Sequence, residues 1–135
     1  MNWQENLQTL DKLTTKEKRA ICESEIVLDF MQTEVFTRLV KLRNELIEQG
    51  LIVTLAPNYA DDINLPDALV EISVIKTVGD TLKYSAKFYR VSGLSIECEL
   101  DRKLTEPSVS VTIGISLESI SLLEGYLKDF QDNFL

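Results

Sequence analysis

Histidine is absent from this chain of 135 residues. Its absence removes the Ser-His-acid triad, the Cys-His pair, the usual zinc ligand set and the commonest general base near neutral pH. Cysteine is nearly absent too. Cys22 and Cys98 lie far apart in sequence, whereas a disulfide scaffold in a small secreted domain would show more of them. They read as reduced thiols used as small apolar residues. Acids at 23 and 25 beside Cys22, and at 97 and 99 beside Cys98, would raise the thiol pKa and argue against a nucleophile. The five glycines are scattered singly, so no phosphate-cradling loop is present. No apolar run approaches the ~20 residues of a membrane helix. The opening "MNWQENLQTLDKL" has neither a basic leader before an apolar block nor the arginine-rich, acid-poor makeup of a transit peptide. A cytoplasmic protein is expected.

Positive charge is also in short supply. The chain holds 14 Lys and Arg against 22 Asp and Glu, a formal charge of −8. Residues 1–50 carry −2 of this (nine acids, seven bases) and residues 51–135 carry −6 (thirteen acids, seven bases). Binding nucleic acid requires clustered cations that displace condensed counterions, so neither nucleic acid nor an anionic membrane is an expected partner. An acidic surface favours solubility and basic partners instead.

What is present is a chain of ordinary domain size, 44% apolar and 27% charged, in the range of globular proteins. One α+β domain is expected over 1–135. Residues 1–14 form a short amphipathic helical arm carrying Trp3, Leu7 and Leu10 at helical spacing. Thr14 and Glu17 have the spacing of a capping box, opening a long helix over 15–50. Its stripe runs Ile21, Leu28, Met31, Val35, Leu39, Leu42, Leu46, widened by Val27, Phe30, Phe36, Val40 and Ile47. Glu34 with Arg38, and Lys41 with Glu45, are favourable pairs four apart, and Gly50 supplies a left-handed stop. Such a helix would be roughly 50 Å long at 1.5 Å per residue, more than one small sheet covers. Either it breaks near "CESE", or its first half packs on the folded-back arm or on a second copy. A stripe this wide suits burial on two sides, hence an expected homodimer.

From Leu51 the apolar period falls from near 3.6 to 2. "LIVTLA" and the segments 68–78, 82–90, 94–101 and 108–116 read as four or five strands over 51–116, and 117–135 as a C-terminal helix capped by Ser116 or Ser119. Short connections favour an antiparallel meander, with both the long and the C-terminal helix on one face and the other face polar. In "LKYSAKFYRVSGLSIECELD", a three-residue loop Val91-Ser92-Gly93 would set Phe88 opposite Ile96, Ala86 opposite Cys98 and Tyr84 opposite Leu100. The outer face would then pair Lys87 with Glu97, Lys83 with Asp101 and Ser85 with Glu99. A preceding Gly79-Asp80-Thr81 loop would turn Val70, Ile72, Val74 and Val78 inward and set Glu71 opposite Tyr89.

These charges have a structural explanation as a solvated face. A functional reading of the same face makes it a docking surface built from Glu71, Lys83, Lys87, Tyr89, Glu97 and Glu99, with exposed Tyr89 at its centre. The arm residues Trp3, Leu7 and Leu10 either pack on their own chain or grip a partner, helix in groove. The oxygen-rich loop Asn58, Asp61, Asp62, Asn64, Asp67 lacks EF-hand spacing, and no metal or cofactor is expected. Small acidic dimeric secretion chaperones are similar in size and charge, but they usually carry a helix in mid-sheet, and 102–107 is too short for one. The leading expectation is a non-catalytic protein-binding module: an adaptor, a chaperone-like factor or a neutralising partner of a basic protein. The alternative is a small-molecule pocket between long helix and sheet, lined by Tyr84, Phe88 and Cys98.

Overall fold

A computed structural model describes residues 2–57, 69–78, 80–101 and 108–134, with the backbone alone at 77–78 and 80–82. Helix α1 (Trp3–Leu10) is followed by α2 (Lys16–Phe30), a π-helical turn (Met31–Val35) and α3 (Phe36–Glu48). Then come β1 (Ile52–Pro57), β2 (Val70–Val78), β3 (Asp80–Ser92), β4 (Ser95–Asp101), β5 (Val109–Gly114) and α4 (Ser119–Asp132). The sheet is antiparallel throughout, in the order β1-β2-β3-β4-β5. No helix among the described residues is long and apolar enough to cross a membrane.

Local chemistry accounts for the helix ends, with one correction. The threonine that caps α2 is Thr15, whose side chain accepts from the Lys18 amide, rather than Thr14. At the far end Gly50 takes φ +85. Its amide donates to the Ile47 carbonyl and that of Leu51 to Leu46, the paired bonds of a Schellman stop. Neither Ser116 nor Ser119 caps α4 from the N-cap position, which Glu118 occupies without a side-chain bond. The two serines bond each other instead, the Ser119 hydroxyl donating to the Ser116 carbonyl at 2.6 Å.

From Lys16 to Glu48 the chain is one rod that does not break at Cys22–Glu25. Its buried positions are Cys22, Ile26, Val27, Phe30, Met31, Val35, Leu39, Leu42 and Leu46. The π turn, Met31–Val35, falls where the double row of Ile26 with Val27 and Phe30 with Met31 gives way to the single row of Val35 and Leu39. Ile21, placed on the apolar stripe by spacing, is instead 62% exposed.

The first half of the rod packs against α1 folded back along it. Both ends of α1 are tied by charges of the sign its dipole favours. At the N-terminal end, the Trp3 amide donates to Asp29 Oδ2 at 2.7 Å. At the C-terminal end, Arg19 Nη1 donates to the carbonyls of Leu10 (2.8 Å) and Leu13 (3.1 Å). The second half of the rod lies over β1 and β2, and α4 lies over β5. Between helices and sheet sit Phe30, Met31, Leu39, Leu46, Ile72, Val74, Phe88, Ile96, Ile113, Leu123 and Phe130, all essentially solvent-free. Each such side chain contributes roughly 1.5–3 kcal/mol by leaving water.

Both hairpin registers differ from the expected ones by two residues, while every described side chain keeps its expected face. On β3 and β4, Phe88 lies opposite Cys98 rather than Ile96, Ala86 opposite Leu100 and Lys87 opposite Glu99. Ser92 pairs with Ser95 across a Gly93-Leu94 turn, and a bulge between Arg90 and Ser92 absorbs the odd residue. Gly93, at φ +51, occupies the first turn position, where a two-residue hairpin can demand positive φ. On β2 and β3, Glu71 lies opposite Lys87 rather than Tyr89, and Val74 opposite Tyr84.

Candidate functional site

The candidate site is the sheet face turned away from the helices. Alternation puts Glu71 and Ser73 of β2, Lys83, Ser85, Lys87 and Tyr89 of β3, and Glu97, Glu99 and Asp101 of β4 on that side. The registers gather them into rows. Lys87 sits between Glu71 on one neighbour strand and Glu99 on the other, and its Nζ is 3.7 Å from Asp101 Oδ2. Tyr89 is directly opposite Glu97. Burial pushes the Tyr89 phenol above its ordinary pKa, and the Glu99 carboxylate adds to that, while Lys87 opposes it. Four carboxylates therefore face two ammonium groups. No described element covers the face, so its net negative charge is open to a partner.

Ser85 is the exception, a buried polar residue on this outer side, flanked by Ser73 and Asp101 on the adjacent strands. The Ser73 hydroxyl donates to Glu71 at 3.3 Å, and the side chains of this row shield one another.

Other sequence-derived candidates lie elsewhere. Trp3 and Leu10 are buried and Leu7 partly so, all packed in the chain's own core. The Trp3 ring stands edge-on to Phe30 at 5.1 Å and its indole N–H donates to Glu34 at 3.2 Å, so the face of α1 is already occupied. Tyr84, Phe88 and Cys98 do lie on the helix-facing side, but aromatic rings fill the space above them. Tyr84 meets Phe134 at 4.9 Å and Phe88 meets Tyr126 at 6.0 Å, both edge-on. Burial, then the Glu97 charge, pushes the Cys98 thiol up to about 12. Cys22 is raised by burial and by Glu25 and Glu23. Neither thiol is activated. Among the described residues no cluster of His, Cys, Asp and Glu could hold a metal; the loop from Asn58 to Asp67 lies outside them.

Two features carried no readable signal in the sequence. The first is an open groove of about 680 Å³ between α3 and α4, lined by Arg38, Lys41, Glu45, Glu124, Lys128 and Gln131 among others. Arg38 bridges its walls, bonded to Glu34 at 2.6 Å and Glu124 at 3.1 Å. Desolvation works against the Arg38 charge, but these two carboxylates together raise its pKa. Only the Glu34–Arg38 half, four residues apart, could be read from spacing. The second is the Tyr126 hydroxyl, buried without a hydrogen-bond partner among the described residues and raised in pKa by burial.

No protein-family model matches the chain, and no curated protein or solved structure matches it either.

Proposed function

We propose that this chain is a non-catalytic protein-binding module, working in the cytoplasm as a homodimer, whose acidic sheet face receives a basic segment of another protein. The observation that carries this reading is the uncovered outer face, where Glu71, Glu97, Glu99 and Asp101 surround Tyr89 against only Lys83 and Lys87. An aromatic ring among carboxylates offers a cationic side chain both a π face and charge. An uncovered sheet face of this kind suits an extended polypeptide better than a small molecule, which is held in concave sites. Charge complementarity would act chiefly on association rate and specificity. Adaptor, chaperone-like and neutralising roles all draw on this one contact.

Binding of an oligo-arginine peptide, followed by calorimetry at low and at physiological salt, tests it. The double variant Glu97→Gln/Glu99→Gln should weaken binding tenfold or more. A control that neutralises Asp129 and Asp132 on α4 should change it little. Equal losses in both would reduce the effect to net charge and overturn the assignment of the face.

A second reading, small-molecule binding over Phe88 but under α4 rather than the long helix, is favoured by one observation, the Tyr126 hydroxyl, which has no hydrogen-bond partner among the described residues. The edge-on rings already packed there argue for the first.

A further inference from the structure

The two edges of the sheet differ in a way the acidic face does not explain. Over β1, the inward-facing Val53 and Leu55 are half-buried against the core, and Pro57 ends the strand, a residue that blunts an edge by lacking a donor. On β5, Val109 and Val111 share the inward side with Ile113, since they lie opposite Leu100 and Cys98. Yet they are 45% and 42% exposed. The helix layer stops short of them.

Leu122 of α4 is 59% exposed as well. At 100° per residue it points to the flank of α4 opposite the one bearing Glu124, Lys128 and Gln131. Those three line the groove toward α3, and α3 lies over β1 and β2. The Leu122 flank is therefore the one nearest the β5 edge. Three apolar side chains together rim that edge.

The backbone of β5 is equally open. The Ile115 amide donates to the Leu94 carbonyl at 2.6 Å, continuing the β4–β5 register. The alternation of an antiparallel ladder then turns the N–H and C=O groups of Val109, Val111 and Ile113 toward β4. Those of Ser110, Thr112 and Gly114 turn outward, where no described strand lies. From Pro107 to Leu117 the chain carries no charged residue, and the devices that normally protect an edge, Lys, inward charge or bulge, are missing from β5.

We propose that β5 is a docking edge for a second copy of this chain, joined antiparallel about a two-fold axis through Val111. Two chains each carrying −8 repel at most surfaces, and an uncharged strand is where like can meet like at least electrostatic cost. Only an axis through a residue leaves each face continuous, because opposed residues must share a side. Val111 then meets its counterpart, Val109 meets Ile113 and Ser110 meets Thr112, each position being β-branched or a small hydroxyl. The outward groups of Ser110 and Thr112 exchange the new ladder bonds. An axis at Val111 rather than Thr112 brings the exposed valines of the two copies closer together, while an axis at Ser110 would leave Ile113 with no partner in β5. The Leu122 flanks of both α4 helices then lie on the same side. Ten strands then form one sheet, and the two acidic faces lie side by side.

This inference rests on the dimeric part of the proposed function, and light scattering across a range of concentrations separates the two. The wild-type chain is expected to run as a dimer that dissociates on dilution. Thr112→Pro removes an outward amide while sparing the β4 ladder, and Val111→Lys sets a charge at the seam without requiring a proline. Each should give a monomer with unchanged far-ultraviolet circular dichroism, whereas Ile52→Lys on β1 should remain dimeric. A wild-type dimer that survives Val111→Lys, or that dissociates with Ile52→Lys, would overturn the β5 seam and leave dimerisation standing. A wild-type chain monomeric at every concentration would overturn both, and would leave the edge to a strand from a different protein.

Discussion

The two faces of the sheet are written on the same strands, residue by residue in alternation, and they carry opposite obligations. The inner face is filled with Ile72, Val74, Phe88, Ile96 and Cys98, none of them exposed to solvent. Its contribution is apolar area. The outer face has Glu71, Lys87, Tyr89, Glu97 and Glu99 at intermediate exposure, with one long ion pair, Lys87–Asp101 at 3.7 Å, among the described residues. What it offers is charge and accessibility. A side chain moved across the sheet would therefore change its meaning as well as its environment. Stability should be concentrated on one face and binding on the other.

The widest gap between the faces should appear on truncating adjacent residues. Phe88→Ala on the inner face is expected to cost ~3–5 kcal/mol in denaturant unfolding, as a buried aromatic lost with its cavity. A cost near that of a surface change would mean the inner face is not the core.

Cys98 sharpens the contrast through pH. Its thiol has an ordinary value of 9.0 and is held at about 12 in the folded chain. Between those values the unfolded state has released its proton and the native state has not, so stability falls as pH rises through that window. The contribution is complete below pH 9 and is lost as pH rises toward about 12, on the order of a few kcal/mol. The difference in unfolding free energy between wild type and Cys98→Ala should narrow from pH 8.5 to pH 11. A difference that stays constant would place the thiol in contact with solvent.

The smallest effect belongs to the outer face. Lys87→Gln should change stability by no more than ~0.5 kcal/mol, the scale of an exposed pair, and raise the affinity for a cationic peptide by removing a like charge. A loss above ~2 kcal/mol would mean that Glu71, Glu99 and Asp101 depend on Lys87 for folding, and the division between faces would be gone.

Much of this architecture was legible because period and punctuation agree. The helical stripe, the stop at Gly50 and the change to alternation at Leu51 locate the rod and the sheet, and alternation assigns every described strand residue to its side. Register was not legible for a specific reason. Sliding one strand by two residues returns every side chain to the same face, so a test on parity cannot detect it. Charge was no better a guide. Acids recur at 97, 99 and 101, so the expected register and the one two residues away both set Lys87 opposite a carboxylate. The bulge between Arg90 and Ser92 then converted a three-residue loop into a two-residue turn. For the candidate site, face membership was readable while the pairing of Glu71 with Lys87 was not. The π turn was not legible, because Val27, Met31, Val35 and Leu39 keep an unbroken four-residue spacing through it. The groove between α3 and α4 left none, because Arg38 and Glu124 are 86 residues apart.

The strand order has a consequence in time. Each strand hydrogen-bonds to its predecessor in the chain, and α3 rests on the strand that immediately follows it. The loops to be closed are short, so the search for partners stays local and the entropic barrier to assembly stays low. Helix α4 must reach back across several strands to set Tyr126 over Phe88 and Phe134 over Tyr84, as the β3–β4 hairpin reaches back to α2 through Arg90 and Ser24. Without this helix the apolar side of the sheet around Phe88 and Tyr84 would stand open to water.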